Sequence, residues 1–488
     1  MTPHQLVWRL CLGMLVRHSH GLSKSTTPSP RGRIAVIGGG ASGIFASIAA
    51  ATTADGSHNN NNAEVTVLEA TSKTLAKVKI SGGGRCNVLH DTSKTISNIL
   101  QGYPRGRREL NGPYHKGFSP TQAQEWFQAH GVTLKTESDG RMFPVTDSSQ
   151  TVIDALVQAA QDAGVELRLR CKVSTIVEKN GKLQVTMTSK QDGTAETTEE
   201  LFDSVIIATG SAPQGYQLAA QLGHTVVSTV PSLFTLNTKQ ELQPPEGRFC
   251  DLAGVSVPWA RITLKVPEGK KKTKLEEEGP LLITHHGLSG PAALRLSAFG
   301  ARVWNELKYQ GDITIHWAPH LGTTEEILEA LWQMTSARPK KTITSVCPLP
   351  NVEQDGSAIP RRLWAAQCRA AGVAEDQVWG QVSKKVVRQL AMQVSECVVH
   401  VTGKGQFKEE FGTCITFFEK NERMLRRPRI SCFFFLFAPL STGTMFVKCI
   451  VTAGGVSLKE IDMKTMQSKS IPGLFMCGEV IDVDGVTG

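Results

Sequence analysis

The sequence predicts an α/β protein in which a parallel sheet is interrupted by a second domain rich in strands and helices. Three observations favour this fold class. A short apolar run, Ile34 to Ile37, leads directly into glycines spaced G-x-G-x-x-G, as a buried parallel strand before a helix does. Apolar strands and helices then alternate as far as Val205 to Gly210. From Ser211 to about Phe411 the pattern changes, and it returns to that of the first domain at Val451.

Gly38, Gly40 and Gly43 form the glycine turn after the first predicted strand. Glycines at this spacing permit a tight turn, a close approach of the backbone to a pyrophosphate, and close packing of helix on strand. The small residues that follow, beginning with Ala41 and Ser42, predict a buried helix whose N-terminus favours phosphate. A dinucleotide site is therefore predicted, against the alternative of an incidental glycine-rich turn.

The second predicted strand, Glu64 to Leu68, ends at Glu69, whose carboxylate is placed to accept hydrogen bonds from an adenosine ribose. The distance from Gly43 to Glu69 exceeds the usual spacing of ~20 residues. The polar tract from Gly56 to Asn62 explains the excess as an extended surface loop.

A second glycine-rich loop, Ile80 to Asn87, follows this strand. Its small residues let backbone N–H groups converge on an anion, and Arg85 adds a permanent charge. The loop is predicted to reach the pyrophosphate or the ring of a cofactor; the alternative is a flexible turn with a solvated arginine. The next cysteine after Cys86 is Cys171, so no local redox disulfide is available and Cys86 is predicted to pack rather than react.

The middle of the first domain has a recognisable order. Ser119 to Gln122 has a capping-box pattern, and a second helix is predicted from about Gln150 to Ala163. A meander with an Asn180–Gly181 hairpin turn leads to the strand ending in Ala-Thr209-Gly210, where the backbone turns beside the cofactor. This is the layout of a Rossmann-like FAD-binding domain of glutathione-reductase type.

The inserted domain has few chemical markers. His285 and His286 are adjacent and lack further ligands at metal-site spacing, so no metal site is predicted. Ser289 is expected to cap a helix. The predicted strands are Leu233 to Leu236, Ile262 to Val266, Leu281 to Thr284 and Ile313 to Trp317, and the predicted helices are Glu325 to Met334 and Gln377 to Val394.

The first domain resumes at Val451 to Val456 and ends with a strand from Gly473 to Cys477. An acid beside glycine just past a buried strand is the arrangement that a second FAD fingerprint uses to hold a ribityl hydroxyl. Glu479, next to Gly478, is the first candidate for this role and Asp482 is the second.

The net charge of +9 comes from two segments. Residues 1–33 carry five Lys/Arg and no acid, and residues 412–450 carry six Lys/Arg against two acids. The rest of the chain is neutral overall, which argues against a nucleic-acid partner. No run of 18 apolar residues occurs, so no membrane span is predicted. Eleven cysteines without a C-x-x-C pair indicate reduced thiols.

Residues 1–32 have the composition of an organelle transit peptide, rich in Arg, His, Ser and Thr and free of acids. We expect a mitochondrial or plastid protein. The alternatives are a disordered tail on a cytoplasmic protein and, for Leu10 to Val16, a secretory segment, although no small-residue cleavage pattern follows it.

These motifs together resemble the BaiN/RdsA-type, aminoacetone-oxidase-like family of FAD-dependent oxidoreductases. The matching stretches include AVIGGGASG, KISGGGRCN, DGRMFPVTD, VIIATG, THHGLSGPAAL, GKGQFKEEF, VTAGGVSLKEID and GLFMCGEVIDVDGVTG, in family order across residues 33–488. The resemblance implies bound FAD and a second domain that covers the flavin ring. The predicted cofactor-binding residues are Gly38, Gly40, Ala41, Ser42, Gly43, Glu69, Lys77, Gly82, Gly83, Gly84, Arg85, Cys86, Asn87, Val173, Thr209, Gly210, Gly478, Glu479 and Asp482.

The chain departs from this family in two places. Family members run almost directly from GQFKEEF to VTAGGV, whereas here residues 412–450 intervene; the run Ser431 to Phe437 is what a pyrimidine-rich tract encodes, so a translated intron is predicted. The family continues past Gly488 with a glycine-rich turn and a helix, so a C-terminally truncated chain is expected. The predicted domains are thus an FAD domain (33–210 and 451–488), an inserted domain (211–411) and the insertion (412–450).

The predicted function is that of an FAD-dependent oxidoreductase that passes hydride through flavin to a small-molecule substrate. The sequence has no second G-x-G-x-x-G after a strand, so NAD(P)H is a candidate reductant that enters the cleft directly, and oxygen is a candidate oxidant. One alternative is a non-catalytic or inactive truncated flavin-binding isoform. Another, an RNA-modifying flavoprotein, requires a basic stripe, for which Lys270 to Lys274 is the candidate. No catalytic residue and no oligomeric state are predicted.

Overall fold

A computed structural model of the chain describes residues 32–52, 63–137, 140–191, 194–242, 247–266, 275–352, 356–405 and 451–486. Outside these residues lie the predicted transit peptide up to residue 31, the polar loop 56–62, the lysine run 270–274, residues 406–411 of the GKGQFKEEF stretch and the insertion 412–450, together with the last two residues.

The described strands fall into two large sheets and three small ones. In chain order they are β1 (Arg33–Ile37), β2 (Glu64–Leu68), β3 (Leu89–His90), β4 (Leu134–Thr136), β5 (Arg141–Pro144), β6 (Glu166–Arg168), β7 (Cys171–Lys179), β8 (Lys182–Gln191), β9 (Thr194–Phe202), β10 (Ser204–Ile207), β11 (Val226–Ser232), β12 (Leu236–Asn237), β13 (Ser256–Leu264), β14 (Leu275–Ile283), β15 (Gly287–Ser289), β16 (Gly311–His316), β17 (Cys397–Val401), β18 (Gly403–Lys404), β19 (Val451–Val456), β20 (Ile461–Asp462), β21 (Gln467–Ser468) and β22 (Leu474–Met476).

The described α-helices alternate with strands in the first domain and cluster on the sheet of the second. They are α1 (Ala41–Ala51), α2 (Ala76–Ile80), α3 (Ile96–Leu100), α4 (Arg107–Lys116), α5 (Pro120–Ala129), α6 (Ser149–Asp162), α7 (Pro213–Gln221), α8 (Lys239–Leu242), α9 (Pro291–Phe299), α10 (Ala301–Glu306), α11 (Thr324–Ala337), α12 (Arg361–Ala370) and α13 (Lys384–Ser395).

The first large sheet has the order β20-β21-β22-β10-β1-β2-β6. β1 lies at its centre and pairs in parallel with both β10 and β2, as its apolar run predicts. β22, which comes after the second domain in the chain, also pairs in parallel with β10. The first domain is therefore discontinuous in sequence.

This sheet is covered on both faces, because alternate side chains of its strands point to opposite sides. Val36 and its neighbours pack with Ile44 of α1 and Leu156 of α6. Ile37 packs on the other face with Val185 of the antiparallel β7-β8-β9 meander. The predicted hairpin turn of the meander is confirmed at Asn180 and Gly181, whose φ angles of 54° and 74° are typical of a type I′ turn.

The second domain is built on an antiparallel sheet with the order β17-β16-β13-β14-β15-β12-β18. Four fully buried tryptophans, Trp304, Trp317, Trp364 and Trp379, fill the core between this sheet and its helices. An antiparallel ribbon of β11 and β19 joins the two domains. Ala453 of the ribbon packs with Ala301 of α10.

Two predicted helix boundaries in this domain are wrong. Ser289 is the last residue of β15, and Gly290, with φ of 92°, occupies the N-cap of α9 instead. The helix predicted from Gln377 begins only at Lys384, after a Ser383 cap that accepts a hydrogen bond from the N–H of Val386. Trp379 is buried in the core and belongs to a separate turn, Trp379–Gln381, that precedes the helix. None of the described helices is long and apolar enough to cross a membrane.

Candidate functional site

The candidate site lies where the parallel strands of the first sheet end together. Ile37 is in register with Leu68 on one side and with Ile207 on the other, and Ile207 is in register with Met476. The residues that follow these four strand ends therefore lie along one edge of the sheet. In open α/β sheets, ligands bind outside this carboxyl edge.

The glycine turn follows β1 at this edge. Gly38 has φ of 107°, and a Cβ atom there would lie 2.7 Å from the carbonyl oxygen of Ala208. A Cβ on Gly43 would lie 1.8 Å from the carbonyl oxygen of Gly38, so glycine alone allows α1 to approach β1 this closely. Gly40 differs from both, because a Cβ there would meet nothing within 4 Å.

The N-terminus of α1 favours the binding of an anion. Gly40 is its N-cap and offers no side-chain cap, and the first turn, starting at Ala41 and Ser42, contains no acid. The N–H groups and the positive end of the helix dipole are therefore not satisfied by a side chain of the helix itself. Together with the open space at Gly40, this arrangement fits a phosphate group.

Glu69 follows β2 and its carboxylate is held at one end of the glycine turn. One oxygen accepts a hydrogen bond from the N–H of Gly39 at 2.7 Å. The other accepts hydrogen bonds from the N–H and the hydroxyl of Thr71, at 2.8 Å and 2.7 Å. The carboxylate is thus fixed beside the turn, in the place that suits contact with a ribose hydroxyl.

Lys77, Gly210 and Glu479 meet at the other end of the turn. The ammonium group of Lys77 donates a hydrogen bond to the hydroxyl of Ser211 at 2.7 Å and lies 3.3 Å from a carboxylate oxygen of Glu479. Gly210 has φ of 59°, and a Cβ there would lie 3.6 Å from the same Glu479 oxygen. Tyr216 donates a hydrogen bond to the backbone carbonyl of Glu479. Ser211 and Tyr216 were not predicted from the sequence, although Ser211 directly follows the predicted turn at Gly210.

Gly478 and Thr209 connect these parts by close packing. A Cβ on Gly478 would lie 2.5 Å from the hydroxyl of Ser42, so Gly478 packs directly on the first turn of α1. The next residue, Glu479, therefore lies near the N-terminal end of this helix. The hydroxyl of Thr209 lies where a Cβ on Gly215 would be, at 1.8 Å. At Gly478 and Gly215 the absence of a side chain lets a neighbouring hydroxyl side chain lie directly against the backbone.

The second glycine-rich loop is a run of left-handed residues. Gly82, Gly83 and Gly84 have φ angles of 54°, 71° and 85°, and Cys86 follows with 62°. A Cβ on Gly82 would lie 2.9 Å from both the N–H nitrogen of Asn87 and the ring of Phe143. The side-chain oxygen of Asn87 accepts a hydrogen bond from the N–H of Met142 in β5. This conformation explains why glycines are needed here.

Arg85 is paired with two carboxylates instead of projecting a free charge. Its guanidinium group donates to Glu137 at 2.6 Å and to Asp147 at 2.8 Å, and it lies 4.0 Å from the ring centroid of Phe143. The predicted use of its charge on a phosphate therefore gains no support from the geometry. Among the described residues, one buried guanidinium nitrogen of Arg85 has no hydrogen-bond partner.

Cys86 and Val173 contribute mainly packing. Both are buried in the two cores that flank the first sheet. Burial raises the pKa of the Cys86 thiol, which keeps the thiol protonated and unreactive. The backbone carbonyl of Val173 accepts a hydrogen bond from the side chain of Gln214.

Asp482 and Asp484 lie where the two domains meet. Burial raises the pKa of both carboxyl groups. Asp484 is buried and pairs with Arg105, which also donates to the carbonyl of Ala298 in the second domain. Ser232 of the ribbon donates to the same carboxylate at 3.2 Å. The ion pair was not predicted, and with its two further hydrogen bonds it joins four chain segments.

In the described part of the chain, no group of three or more His, Cys, Asp or Glu side chains is placed to hold a metal ion. His285 and His286 are both exposed on the turn before β15. The site consists of the glycine turn and the uncapped N-terminus of α1 with a carboxylate at each end, an arrangement that we call the cradle.

The chain matches known proteins over nearly its whole length. A family model described as the HI0933-like protein Rossmann domain matches residues 32–488. The chain is 24% identical over 462 residues to a ribosomal RNA dihydrouridine synthase of Escherichia coli (strain K12), covering 93% of this chain and 92% of that protein. It is 25% identical over 484 residues to a 3-dehydro-bile acid delta(4,6)-reductase of Clostridium scindens, covering 93% and 94%.

Solved structures similar to the chain include quinol fumarate reductase FrdA of E. coli, which is 12% identical with a TM-score of 0.40 and covers 94% of this chain and 66% of that chain. A 3-ketosteroid-delta4-(5alpha)-dehydrogenase from Rhodococcus jostii RHA1 is 17% identical with a TM-score of 0.32, covering 48% and 61%. Because the family model spans nearly the whole sequence, the chain belongs to the HI0933-like Rossmann-domain family.

Proposed function

We propose that this protein is an FAD-dependent reductase that delivers hydride to an electron-poor carbon–carbon double bond. The observation that carries the proposal is the cradle at the carboxyl edge of the first sheet. It combines an uncapped helix N-terminus with Glu69 at one end and Lys77 and Glu479 at the other. Two carboxylates that flank a phosphate site suit the two polyol parts of FAD, the ribose and the ribityl chain.

Each group of the cradle has a separate binding task. The space beside Gly40 admits the pyrophosphate, and the N-terminus of α1 stabilises its charge. Glu69 orients the adenosine ribose, and Glu479 holds a ribityl hydroxyl while Lys77 fixes the position of its carboxylate. When bound, the flavin ring supplies the hydride chemistry, and the protein supplies binding, orientation and electrostatics.

The names of the relatives support a common reaction class. A dihydrouridine synthase saturates a double bond of a uracil ring, and a delta(4,6)-reductase saturates double bonds of a steroid. In both, the double bond is conjugated with a carbonyl group, which makes its far carbon a hydride acceptor. The reductant we propose is NAD(P)H entering the same cleft, since the sequence has no second glycine turn of this kind.

The first experiment is a visible absorbance spectrum of the purified full chain and of two alanine variants. In Gly40→Ala the added methyl meets no protein atom within 4 Å, but it occupies the space that we assign to the pyrophosphate. Overpacking of this kind costs about 1–3 kcal/mol, so the Kd for FAD is expected to rise roughly five- to 150-fold. Gly32→Ala is the matched control, since Gly32 is equally open and directly precedes β1, at the end of the strand opposite the glycine turn.

Reduction of the bound flavin by NAD(P)H under anaerobic conditions then separates the enzyme from a non-catalytic flavin-binding isoform. Bleaching of the flavin absorbance, followed by reoxidation with an enone or a uracil-containing substrate, is the expected result. Equal FAD affinity of Gly40→Ala and the wild type would contradict the proposed position of the pyrophosphate. A soluble, folded chain that binds no flavin would overturn the function itself.

The two relatives leave two substrate classes, a uracil base within RNA and a free small molecule. We propose RNA as the substrate of this chain. The observation that favours it is the charge on the exposed side of α4, whose N-cap Gly106 packs on Val483, shortly after Glu479 in the chain.

A further inference from the structure

The exposed side of α4 carries only basic and neutral residues. Successive residues of an α-helix are rotated by about 100°, so residues spaced by three or four positions share a side. The exposed side consists of Arg107, Arg108, Asn111, Gly112, His115 and Lys116, which we call the basic face.

In the described part of the chain, the cations of the basic face form no ion pair with an acid. Elsewhere, arginines close to acids form ion pairs, as Arg168 does with Glu166 and Arg85 does with Glu137. The single acid of α4, Glu109, is only partly exposed, whereas all six residues of the basic face are exposed. The positive charge of the basic face is therefore not neutralised locally.

The basic face starts beside the candidate cofactor site. Gly106, the N-cap of α4, packs so closely on Val483 that an added Cβ would lie 2.5 Å from its side chain. The carbonyl of Gly102 accepts a hydrogen bond from the N–H of Val486. Both contacts are to the short segment that follows Glu479. The N-terminal end of the basic face therefore lies against the residues that immediately follow the cradle in the chain.

We propose that the basic face binds the phosphate backbone of an RNA strand whose uracil base is presented to the flavin, an inference that rests on the proposed function. Arginine suits this task because its guanidinium group matches the geometry of a phosphate and is weakly hydrated. An anionic membrane fits less well, since a helix that lies on a membrane needs exposed apolar side chains beside its cations. No large exposed hydrophobic residue occurs on α4 within the described structure.

The test measures binding of a fluorescein-labelled, single-stranded RNA of mixed sequence to the full chain by fluorescence anisotropy at several salt concentrations. The variant Arg107→Glu/Arg108→Glu/Lys116→Glu reverses three charges of the basic face. The control Arg361→Glu/Arg362→Glu/Arg369→Glu makes the same charge change on α12, where these three arginines are exposed on one side of a helix in the second domain.

We expect the basic-face variant to bind RNA at least tenfold more weakly than the control at physiological salt. Its plot of log affinity against log salt should also be shallower by about 2–3 units, since each lost phosphate contact removes about 0.7–0.9 from the slope. Equal losses in both variants would overturn the inference, because they would report net charge alone. Absence of RNA binding by the wild type, or equal charge-dependent binding to phosphatidylserine vesicles, would overturn it as well.

Flavin content and anaerobic reduction by NAD(P)H are measured on the same preparations. If the flavin is bound and reduced normally but the basic-face variant binds RNA as well as the control does, the inference fails and the reductase proposal stands. If RNA binds through the basic face and no flavin is bound, the docking surface stands and the proposed function fails.

Discussion

Replacing Arg105 by methionine is expected to lower the free energy of unfolding by about 3–5 kcal/mol near neutral pH, because it leaves a buried carboxylate without its counter-charge. The Asp484 side chain is 1% exposed and that of Arg105 is 16% exposed, so solvent cannot replace the lost partner. Among the described residues, only the hydroxyl of Ser232 would still donate to the carboxylate. In a domain of about 150–250 residues, each kcal/mol shifts Tm by about 2–4 °C, so we expect a fall of at least 6 °C.

The loss of unfolding free energy caused by Arg105→Met should become smaller as the pH is lowered. Burial raises the pKa of Asp484, so the folded state binds the proton more tightly than the unfolded state. The stability that this carboxyl contributes is therefore complete below its unfolded pKa and is lost as the pH rises through its folded pKa. Without Arg105 that pKa rises further, and the deficit of the variant should shrink as the pH is lowered from about 8 to about 5.

Urea unfolding followed by tryptophan fluorescence measures both effects. The double variant Arg105→Met/Asp484→Asn serves as the control, because removing both charges should recover much of the lost stability. A deficit below about 1 kcal/mol, or one that does not change with pH, would refute the description of this pair as a buried, mutually dependent contact.

Three further predictions concern single positions. Gly43→Ala should cost about 3 kcal/mol or more and abolish flavin binding, because the new methyl would lie 1.8 Å from the Gly38 carbonyl; a Tm within a few degrees of wild type would contradict this. Below about pH 4 the wild type should lose stability faster than Glu166→Gln, measured by Tm at each pH. The hydrogen bond from Arg168 lowers the pKa of Glu166, so its contribution is present above the unfolded pKa and is lost as the pH falls through the folded value. Cys86→Ala should keep the flavin spectrum of the wild type, because the buried thiol packs and does not react; loss of flavin would show that the thiol has a chemical role.

The parts of the fold that sequence predicted well are those set by neighbouring residues. The capping box at Ser119 is present with both of its hydrogen bonds, because the partner Gln122 is three residues away. The strand before the glycine turn is central and parallel, as a continuous apolar run of β-branched residues requires. Local rules failed at the start of α9. Ser289 is also a favourable cap residue, but it belongs to β15, and Gly290 is the N-cap.

The unpredicted parts of the site depend on partners that are distant in the chain. Arg85 looked like an anion ligand because its carboxylate partners follow it by 52 and 62 residues. Arg105 and Asp484 are separated by 379 residues. Nothing in the local pattern of either segment indicates such a pairing, which arises only when the second domain brings the ends of the first together.

The discontinuity of the first domain has a consequence for the order in which the protein is made. Lys77 and Glu479 are separated by 402 residues, so a ribosome must produce the whole second domain before the cradle has its second carboxylate. Until then, the edge of β10 that β22 will occupy is unpaired, and an unpaired apolar strand edge invites association with other chains. Contacts this distant in sequence also form slowly. The edge of β10 therefore stays open to such association for as long as the second domain is being synthesised.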